Sequence, residues 1–157
     1  MMKQSWTFNN RILLFLYETS QAEERRALLK QHVGETERRA DGKLISLRSP
    51  LSFSVSHTEN LFLIAVDPKG QPIGVDLESD QSSHDFELLA RHLYSTQETE
   101  HLASLSGNEK RQWALRYWCL KEARFKMCGD SISTFPNEIS ISYYIGDNCA
   151  YAVCSVI

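Results

Sequence analysis

This amino-acid sequence lacks the features that mark several common classes of protein. Its four cysteines form no Cys-x-x-Cys pair and no common zinc spacing, which predicts reduced thiols rather than disulfides or a zinc site. No uninterrupted apolar stretch reaches the roughly 20 residues of a membrane-spanning helix. The first residues also show no secretory-signal pattern. We therefore expect a cytoplasmic protein that does not cross a membrane.

An excess of positive charge is also absent. Lysine and arginine total 17 against 20 acidic residues, so the formal net charge is -3, which argues against a general nucleic-acid-binding protein. Residues 109–126 are the exception, because basic residues outnumber acidic ones there. A solvated helix face explains such a segment on charge alone, and a surface for phosphate or for an acidic protein is the alternative.

Several motifs of catalysis and nucleotide binding are missing as well. The sequence contains neither G-x-G-x-x-G nor G-x-x-x-x-G-K-[ST], which makes a Rossmann or P-loop site a poor interpretation. It has no G-x-S-x-G elbow for a serine nucleophile and no H-E-x-x-H zinc motif. A hydrolase or a histidine-ligated zinc enzyme is therefore not indicated.

Strand and helix patterns occur in blocks along the chain. Apolar or alternating runs predict strands at residues 11–17, 51–56, 61–66, 73–78, 139–143 and 150–157. Helical patterns cover residues 20–34, 85–93, 97–105 and 109–128, with capping boxes at Ser20 and Ser95. The segment 35–49 is predicted to be irregular, with a turn at residues 41–43. This order favours a single α+β domain with mainly antiparallel sheet.

Two acids end the short apolar strand at residues 73–78. Because side chains two apart on a strand share a face, Asp76 and Glu78 project together while their apolar neighbours project to the other side. Such an edge can bind a cation. Taken alone the Asp-x-Glu pattern is weak, and ordinary strand-end acids are the alternative.

A third acid, Glu122, lies on the longest predicted helix. Its spacing from Leu115, Trp118 and Phe125 places it in an apolar stripe, where an unpaired carboxylate would cost free energy. A divalent cation is one way to keep it charged. Lys126 lies one turn further on the same side and could neutralise either that acid or a bound phosphate.

His57 stands at the end of the strand at residues 51–56, at the tip of a turn. A lone histidine in such a place is more often a satisfied core or strand-end residue than a ligand. A solvent-facing position is likewise the alternative for Lys121 and Arg124. These residues gain weight only through the pattern that they form together.

The combined motifs resemble the 4'-phosphopantetheinyl transferase superfamily. Its apolar-Gly-apolar-Asp-x-Glu strand matches residues 73–78, and its Trp/Phe-Ser/Cys/Thr-x-Lys-Glu-x-x-x-Lys helix matches residues 118–126, with 41 residues between Asp76 and Trp118. The larger, surfactin-synthetase-activating type also has a Gly-Lys segment and a Ser-His-Ser/Thr turn, which correspond to Gly42-Lys43 and residues 56–58. The resemblance covers roughly residues 41–157 and is highly specific as a combination.

The resemblance implies a pseudo-twofold α+β fold in which two similar halves bind coenzyme A between them. Residues 1–70 would form a reduced first half and residues 71–157 a metal-bearing second half. The family's N-terminal arginine-rich stretch is represented at best by Arg25, Arg26 and Lys30. Its glycine-x-glycine after the last lysine is replaced by residues 129–131, Gly-Asp-Ser.

The resemblance also assigns roles to single residues. Asp76, Glu78 and Glu122 would hold Mg²⁺ on the pyrophosphate of coenzyme A, since magnesium prefers carboxylate and phosphate oxygens. Glu122 would in addition act as the base for the incoming serine hydroxyl. Lys126 would be the second catalytic residue.

Five residues would contact coenzyme A by the same carry-over. Lys43 and Lys126 would bind its phosphates, Ser56 and His57 would lie near the 3'-phosphate, and Lys121 belongs to the same set. The implied reaction transfers 4'-phosphopantetheine to a serine of an apo acyl or peptidyl carrier protein, for fatty-acid, polyketide or related synthesis. Such carriers are acidic, which gives the basic segment a partner.

Two alternatives keep the same residues but change the function. A non-catalytic module would bind coenzyme A or a carrier protein without transfer. A metal-dependent phosphodiesterase would release adenosine 3',5'-bisphosphate with no carrier present. A monomer and a homodimer both stay open.

Overall fold

The computed structural model describes residues 1–48, 50–80, 85–129, 138–145 and 149–156. Strands and helices alternate in blocks along these ranges. In chain order they are β1 (Met2–Phe8), β2 (Ile12–Glu18), α1 (Ala22–Val33), β3 (Thr36–Arg38), β4 (Leu44–Ser46), β5 (Ser52–His57), β6 (Leu61–Asp67), β7 (Ile73–Ser79), α2 (Phe86–Leu93), α3 (Thr96–Ser104), α4 (Gly107–Cys128), β8 (Glu138–Ile145) and β9 (Cys149–Val156).

The strands form two main sheets and one small hairpin. The first sheet has the order β1-β2-β6-β5, the second has the order β7-β9-β8, and β3 pairs with β4. Every pairing among the described strands is antiparallel. The mixed composition and the antiparallel sheets confirm the coarse fold class predicted from the sequence, whereas the pseudo-twofold relation of two halves stays a prediction.

The two sheets pack against each other, and a helix covers the outer face of each. One apolar core joins the inner faces of the two sheets, a second lies between the first sheet and α1, and a third lies between the second sheet and α4. The central core includes the following buried residues from both sheets: Ile12, Leu14, Leu16, Leu63, Ala65, Ile73, Val75, Leu77 and Val153. Burial on both faces explains why β6 is a continuous apolar run.

Of the two capping boxes predicted from the sequence, one is present in the structure and the other is not. The capping box at Ser95 is confirmed, because its hydroxyl accepts from the Glu98 amide at 3.2 Å and its amide donates to Glu98 Oε2 at 2.7 Å. The capping box at Ser20 is wrong. Helix α1 begins after Gln21, whose amide donates to Thr19 Oγ1 at 3.3 Å.

Two regions contain more strand than the sequence predicted. Strand β1 is mostly exposed and carries no clear apolar alternation, so only its pairing with β2 reveals it. The segment predicted to be irregular contains β3 and β4, which pair around the predicted turn. Gly42 has φ 83° in that turn, and the Lys43 amide donates to Asp41 Oδ1 at 3.0 Å.

Helix α4 lies unusually close to β7. A Cβ added at Gly74 would stand 1.8 Å from the carbonyl oxygen of Ala123 and 2.7 Å from the amide nitrogen of Met127. Because both atoms belong to the helix backbone, no side-chain rotation relieves the clash. The glycine of the strand motif therefore allows α4 to rest directly on the acidic strand.

The C-terminal end of α4 is formed by Gly129, which has φ 71° and whose amide donates to the Phe125 carbonyl at 2.8 Å. The two residues that follow it in the Gly-Asp-Ser segment lie outside the described residues. None of the helices in the described ranges is long and apolar enough to span a membrane.

Candidate functional site

Strand β7 presents its two acids towards α4. Its apolar side chains enter the central core, so Asp76 and Glu78 take the opposite face, as the alternation predicted. The pKa of the Cys119 thiol on α4 reflects the proximity of the helix to these acids. Burial raises the pKa of Cys119, and the nearby carboxylates of Asp76 and Glu78 raise it further.

Asp76 is the buried centre of the site. It is only 4% exposed, and its Oδ1 accepts hydrogen bonds from Lys126 Nζ at 2.7 Å and from Ser56 Oγ at 3.0 Å. Its Oδ2 is buried and has no hydrogen-bond partner among the described residues. One carboxylate oxygen is thus paired, while the other retains unused capacity to accept a hydrogen bond or bind a cation.

Lys126 joins the last turn of α4 to this strand. Besides the contact with Asp76, its ammonium lies 3.1 Å from Ser56 Oγ and 3.5 Å from the Val55 carbonyl oxygen. Its side chain is 31% exposed, so it is mostly buried but reaches solvent in part. The spacing on the helix predicted Glu122 or a phosphate as its partner, and the structure shows a pair with Asp76.

Two serine hydroxyls fasten β5 to β7. Ser54 Oγ accepts from the Val75 amide at 3.0 Å, and Ser56 Oγ donates to Asp76. Ser56 is only 8% exposed, so the structure places it against the carboxylate and the Lys126 ammonium. Its contact with the 3'-phosphate stays a prediction. The next residue, His57, is exposed, and its Nδ1 lies 3.2 Å from the Thr58 carbonyl oxygen.

The exposure of His57 excludes a position in the core and agrees with the end of a strand. A ring in that position is accessible to a ligand from solvent. Its proposed contact with the 3'-phosphate stays a prediction.

Glu78 and Glu122 lie at the edges of the site rather than in its buried centre. Both are partly exposed, and Trp118 Nε1 lies 3.5 Å from Glu78 Oε1. The prediction that Glu122 belongs to an apolar stripe with Phe125 is wrong, because Phe125 is 56% exposed. The buried row of α4 instead advances in steps of four through Leu115, Cys119, Ala123 and Met127.

The donor set suits magnesium in its chemistry. Asp76, Glu78 and Glu122 supply only carboxylate oxygens, and Asp76 Oδ2 is a buried oxygen without a hydrogen bond among the described residues. In the arrangement of the described ranges, however, no three His, Cys, Asp or Glu side chains are grouped closely enough to hold a metal ion. The three ligands therefore stay a prediction, with Asp76 as the best-placed member.

A groove of about 490 Å³ opens beside Lys126, between the β3–β4 hairpin and the end of α4. Lys43 lines it and donates from Nζ to the Lys126 carbonyl oxygen at 3.3 Å. Arg38 lines it as well, while Asp41 is the one acidic side chain among the described residues of its lining. The structure thus brings the two lysines together and adds a guanidinium, a combination that attracts phosphate.

Arg38 was not expected from the sequence. Its only signal is its position in β3, where it pairs with Leu44, the residue after Lys43. That pairing could be inferred only by predicting the hairpin, and the segment appeared irregular.

Lys121 takes a different place from Lys43 and Lys126. Its Nζ lies 2.7 Å from Oε2 of Glu98, so it fastens α3 to α4. Burial alone would raise the pKa of Glu98, but the hydrogen bonds from Lys121 and from the Ser95 cap lower it overall. The role of Lys121 in coenzyme A binding stays a prediction.

Comparison with known proteins adds independent information on this region. The model of the 4'-phosphopantetheinyl transferase superfamily (ACPS) matches residues 72–148. The 4'-phosphopantetheinyl transferase HetI of Nostoc sp. is 42% identical over 94 residues, which cover 60% of this chain and 39% of HetI. The putative 4'-phosphopantetheinyl transferase slr0495 of Synechocystis sp. is 35% identical over 92 residues, or 59% of this chain and 37% of the relative.

The matched regions span less than half of the length of these curated relatives. The family match nevertheless contains both the acids of β7 and the Lys121-Glu122 segment of α4. The prediction from the motifs is confirmed for the superfamily, while the surfactin-synthetase-activating type stays a prediction. Residues 72–148, which carry both motifs, are thus similar to the 4'-phosphopantetheinyl transferase superfamily.

Proposed function

We propose that the chain transfers the 4'-phosphopantetheine group of coenzyme A to a serine of an apo acyl or peptidyl carrier protein. Adenosine 3',5'-bisphosphate is the second product. The observation that carries the proposal is the junction of Lys43, Lys126 and Asp76, where a cationic groove meets a buried carboxylate. Such a junction suits a polyphosphate ligand, because the lysines offset part of its negative charge and the carboxylate can hold a cation that offsets the rest.

Binding of coenzyme A would begin with its phosphates in the groove. Lys43 and Arg38 reach the groove from the β3–β4 hairpin and Lys126 reaches it from α4. Three cations around one groove offset a large part of the charge of a pyrophosphate and a 3'-phosphate. His57, exposed at the end of β5, contacts the 3'-phosphate in this proposal.

The acids would complete the site for chemistry. Asp76, Glu78 and Glu122 would hold Mg²⁺, which supplies neutralisation of the pyrophosphate when bound. Glu122 accepts the proton of the carrier's serine hydroxyl. The serine oxygen then forms a bond to the phosphorus of the phosphopantetheine group, and the bond from that phosphorus to the bridging oxygen breaks. Lys126 neutralises the bisphosphate that leaves.

The carrier protein would approach over the basic part of α4. The Arg111 side chain is 65% exposed and contacts Asp80 Oδ1 at 3.0 Å. An exposed pair of this kind contributes little to stability, so its guanidinium can exchange partners at small cost. An acidic carrier provides such partners, and charge complementarity would raise the rate of encounter.

A non-catalytic module that binds coenzyme A or a carrier protein is the second candidate. One observation favours it: the Asp76 carboxylate, which is expected to hold the metal, is already compensated by Lys126. A module would bind coenzyme A through the groove and leave the pyrophosphate bond intact.

Mass spectrometry of several apo carrier proteins separates these candidates. Each carrier is incubated with the chain, coenzyme A and Mg²⁺, and we expect at least one to gain the mass of a single phosphopantetheine group. Calorimetry of coenzyme A binding is run on the same preparation. Binding without any gain in mass would favour the module, and folded protein that shows neither would contradict both.

A further inference from the structure

Lys126 and Asp76 raise a question that the proposed function does not answer. The ammonium already lies 2.7 Å from one carboxylate oxygen, which is the group expected to receive a divalent cation. The other oxygen is buried without a hydrogen bond among the described residues. The carboxylate is therefore compensated from one side and still able to bind from the other.

We propose that Lys126 is an exchangeable counter-ion. In the ligand-free chain its ammonium neutralises Asp76. When a divalent cation binds to Asp76, the ammonium moves away from that carboxylate and pairs with the ligand's phosphate. The proposal deepens the proposed function and rests on it for the identity of the phosphate ligand. It adds a positioning role for Ser56, which holds the carboxylate during the exchange.

Burial makes a counter-ion necessary at every stage. Asp76 is 4% exposed, and an ionised carboxylate removed from water is stable only when a cation or several hydrogen-bond donors compensate it. Lys126 supplies that charge here, and Ser56 Oγ adds one hydrogen bond at 3.0 Å. A divalent cation at the same carboxylate would repel the ammonium, so the two compete.

Geometry gives the ammonium a second position. Lys126 contacts the Asp76 carboxylate and also lines the groove of about 490 Å³, and its side chain is 31% exposed. Its flexible stem lets the charge move from Asp76 to a phosphate in the groove without movement of α4. Ser56, which is 8% exposed and belongs to β5, does not have that freedom.

Cation binding and phosphate binding are then coupled through one side chain. A phosphate in the groove attracts Lys126 away from Asp76 and thereby strengthens cation binding. By linkage, a cation at Asp76 strengthens phosphate binding by the same factor. This coupling adds to any direct contact between the cation and the phosphate.

Binding of Mn²⁺ alone to the full chain tests the exchange. The free ion is counted by electron paramagnetic resonance with no coenzyme A present. We expect Lys126→Met to bind Mn²⁺ about tenfold more tightly than the wild type, because the competing ammonium is gone. Lys110→Met removes one charge from the first turns of the same helix and should leave the affinity unchanged.

A second variant keeps the test valid if Lys126→Met does not fold. Lys126→Arg retains the charge and can pair with the carboxylate through two donors, so it should bind Mn²⁺ no more tightly than the wild type. Adenosine 3',5'-bisphosphate should strengthen Mn²⁺ binding to the wild type more than to Lys126→Met.

Three results would overturn the exchange: wild-type or weaker Mn²⁺ affinity in folded Lys126→Met, tighter binding in Lys126→Arg, or no Mn²⁺ binding in any variant. Failure of transfer to every carrier would contradict the proposed function instead. That failure leaves the Mn²⁺ affinities unaffected, so the two claims can be separated.

Discussion

Lys126 Nζ lies 2.7 Å from Asp76 Oδ1, which joins the last turn of α4 to the acidic strand β7. The contact exists because the helix rests directly on the strand at Gly74. Two motifs that are separated in sequence thus meet as one site, and the strand glycine sets the distance between them. The site should therefore be sensitive to any change in the spacing of β7 and α4.

Gly74→Ala tests this dependence. The new Cβ would stand 1.8 Å from the Ala123 carbonyl oxygen, so α4 must move or the strand must distort. We expect the free energy of unfolding to fall by about 1–3 kcal/mol, the usual cost of overpacking, or by more. Urea denaturation followed by circular dichroism measures the change.

The double variant Gly74→Ala/Ala123→Gly provides the control. Since the clash is with backbone atoms, removal of the Ala123 methyl group should not rescue the stability lost in Gly74→Ala. A rescue would mean that side-chain packing, and not the close approach of the backbones, requires the glycine.

Glu122→Gln should remove most transfer while the fold stays intact. The substitution keeps the shape of the side chain and removes the charge needed for a base and for a cation ligand. A loss of about 10²- to 10⁴-fold in kcat is expected for a general base. Glu109→Gln, an exposed acid in the first turn of the same helix, should keep wild-type activity. Full activity in Glu122→Gln would show that its assigned role is wrong.

His57→Ala should act mainly on the Michaelis constant for coenzyme A. The ring is exposed at the end of β5 and has no place in the apolar core, so its loss should leave stability almost unchanged. One lost charge-assisted hydrogen bond to phosphate would raise the constant about tenfold. Asn60→Ala, exposed in the same turn, is the matched control. If the wild type and His57→Ala have the same Michaelis constant for coenzyme A, His57 does not bind this substrate and is only a strand-end residue.

Lys121→Met should lower the free energy of unfolding at neutral pH but not in strong acid. Net hydrogen bonding from Lys121 and Ser95 overcomes the effect of burial and lowers the pKa of Glu98 below its ordinary value of 4.5. The stabilisation by the Glu98 carboxylate is therefore present above that value and lost as the pH falls through the folded-state pKa. Urea denaturation at pH 7 and at acidic pH measures the two differences.

At pH 7 we expect Lys121→Met to lose up to about 1 kcal/mol, since the pair is partly exposed. The difference from the wild type should shrink as Glu98 becomes protonated. An equal difference at both pH values would show that the Lys121 side chain stabilises through packing rather than charge.

The elements that carry the site were predictable because their signals are local. An apolar run with two same-face acids predicted β7, and Ser95 with Glu98 three residues later marked the start of α3. The buried row of side chains on α4 was harder to predict from the sequence. Hydrophobicity favours Phe125 over Ala123, but a helix that touches the backbone at Gly74 must bury its small residues there.

Contacts between distant elements could not be predicted from one sequence. The pairing of Arg38 with Leu44 depends on a three-residue strand that has no apolar alternation. The contact of Ser56 with Asp76 depends on how the edge of one sheet meets the edge of another. Neither contact produces a periodic pattern of apolar residues from which it could be predicted.

Product stoichiometry with a responsive apo carrier tests the central claim most directly. Carrier mass and free adenosine 3',5'-bisphosphate are measured in the same reaction of wild-type chain, coenzyme A and Mg²⁺. We predict one bisphosphate for each phosphopantetheine group gained by the carrier, and none when the carrier is omitted. Bisphosphate release without a carrier, or coenzyme A left intact with every carrier, would contradict transfer as the function of this chain.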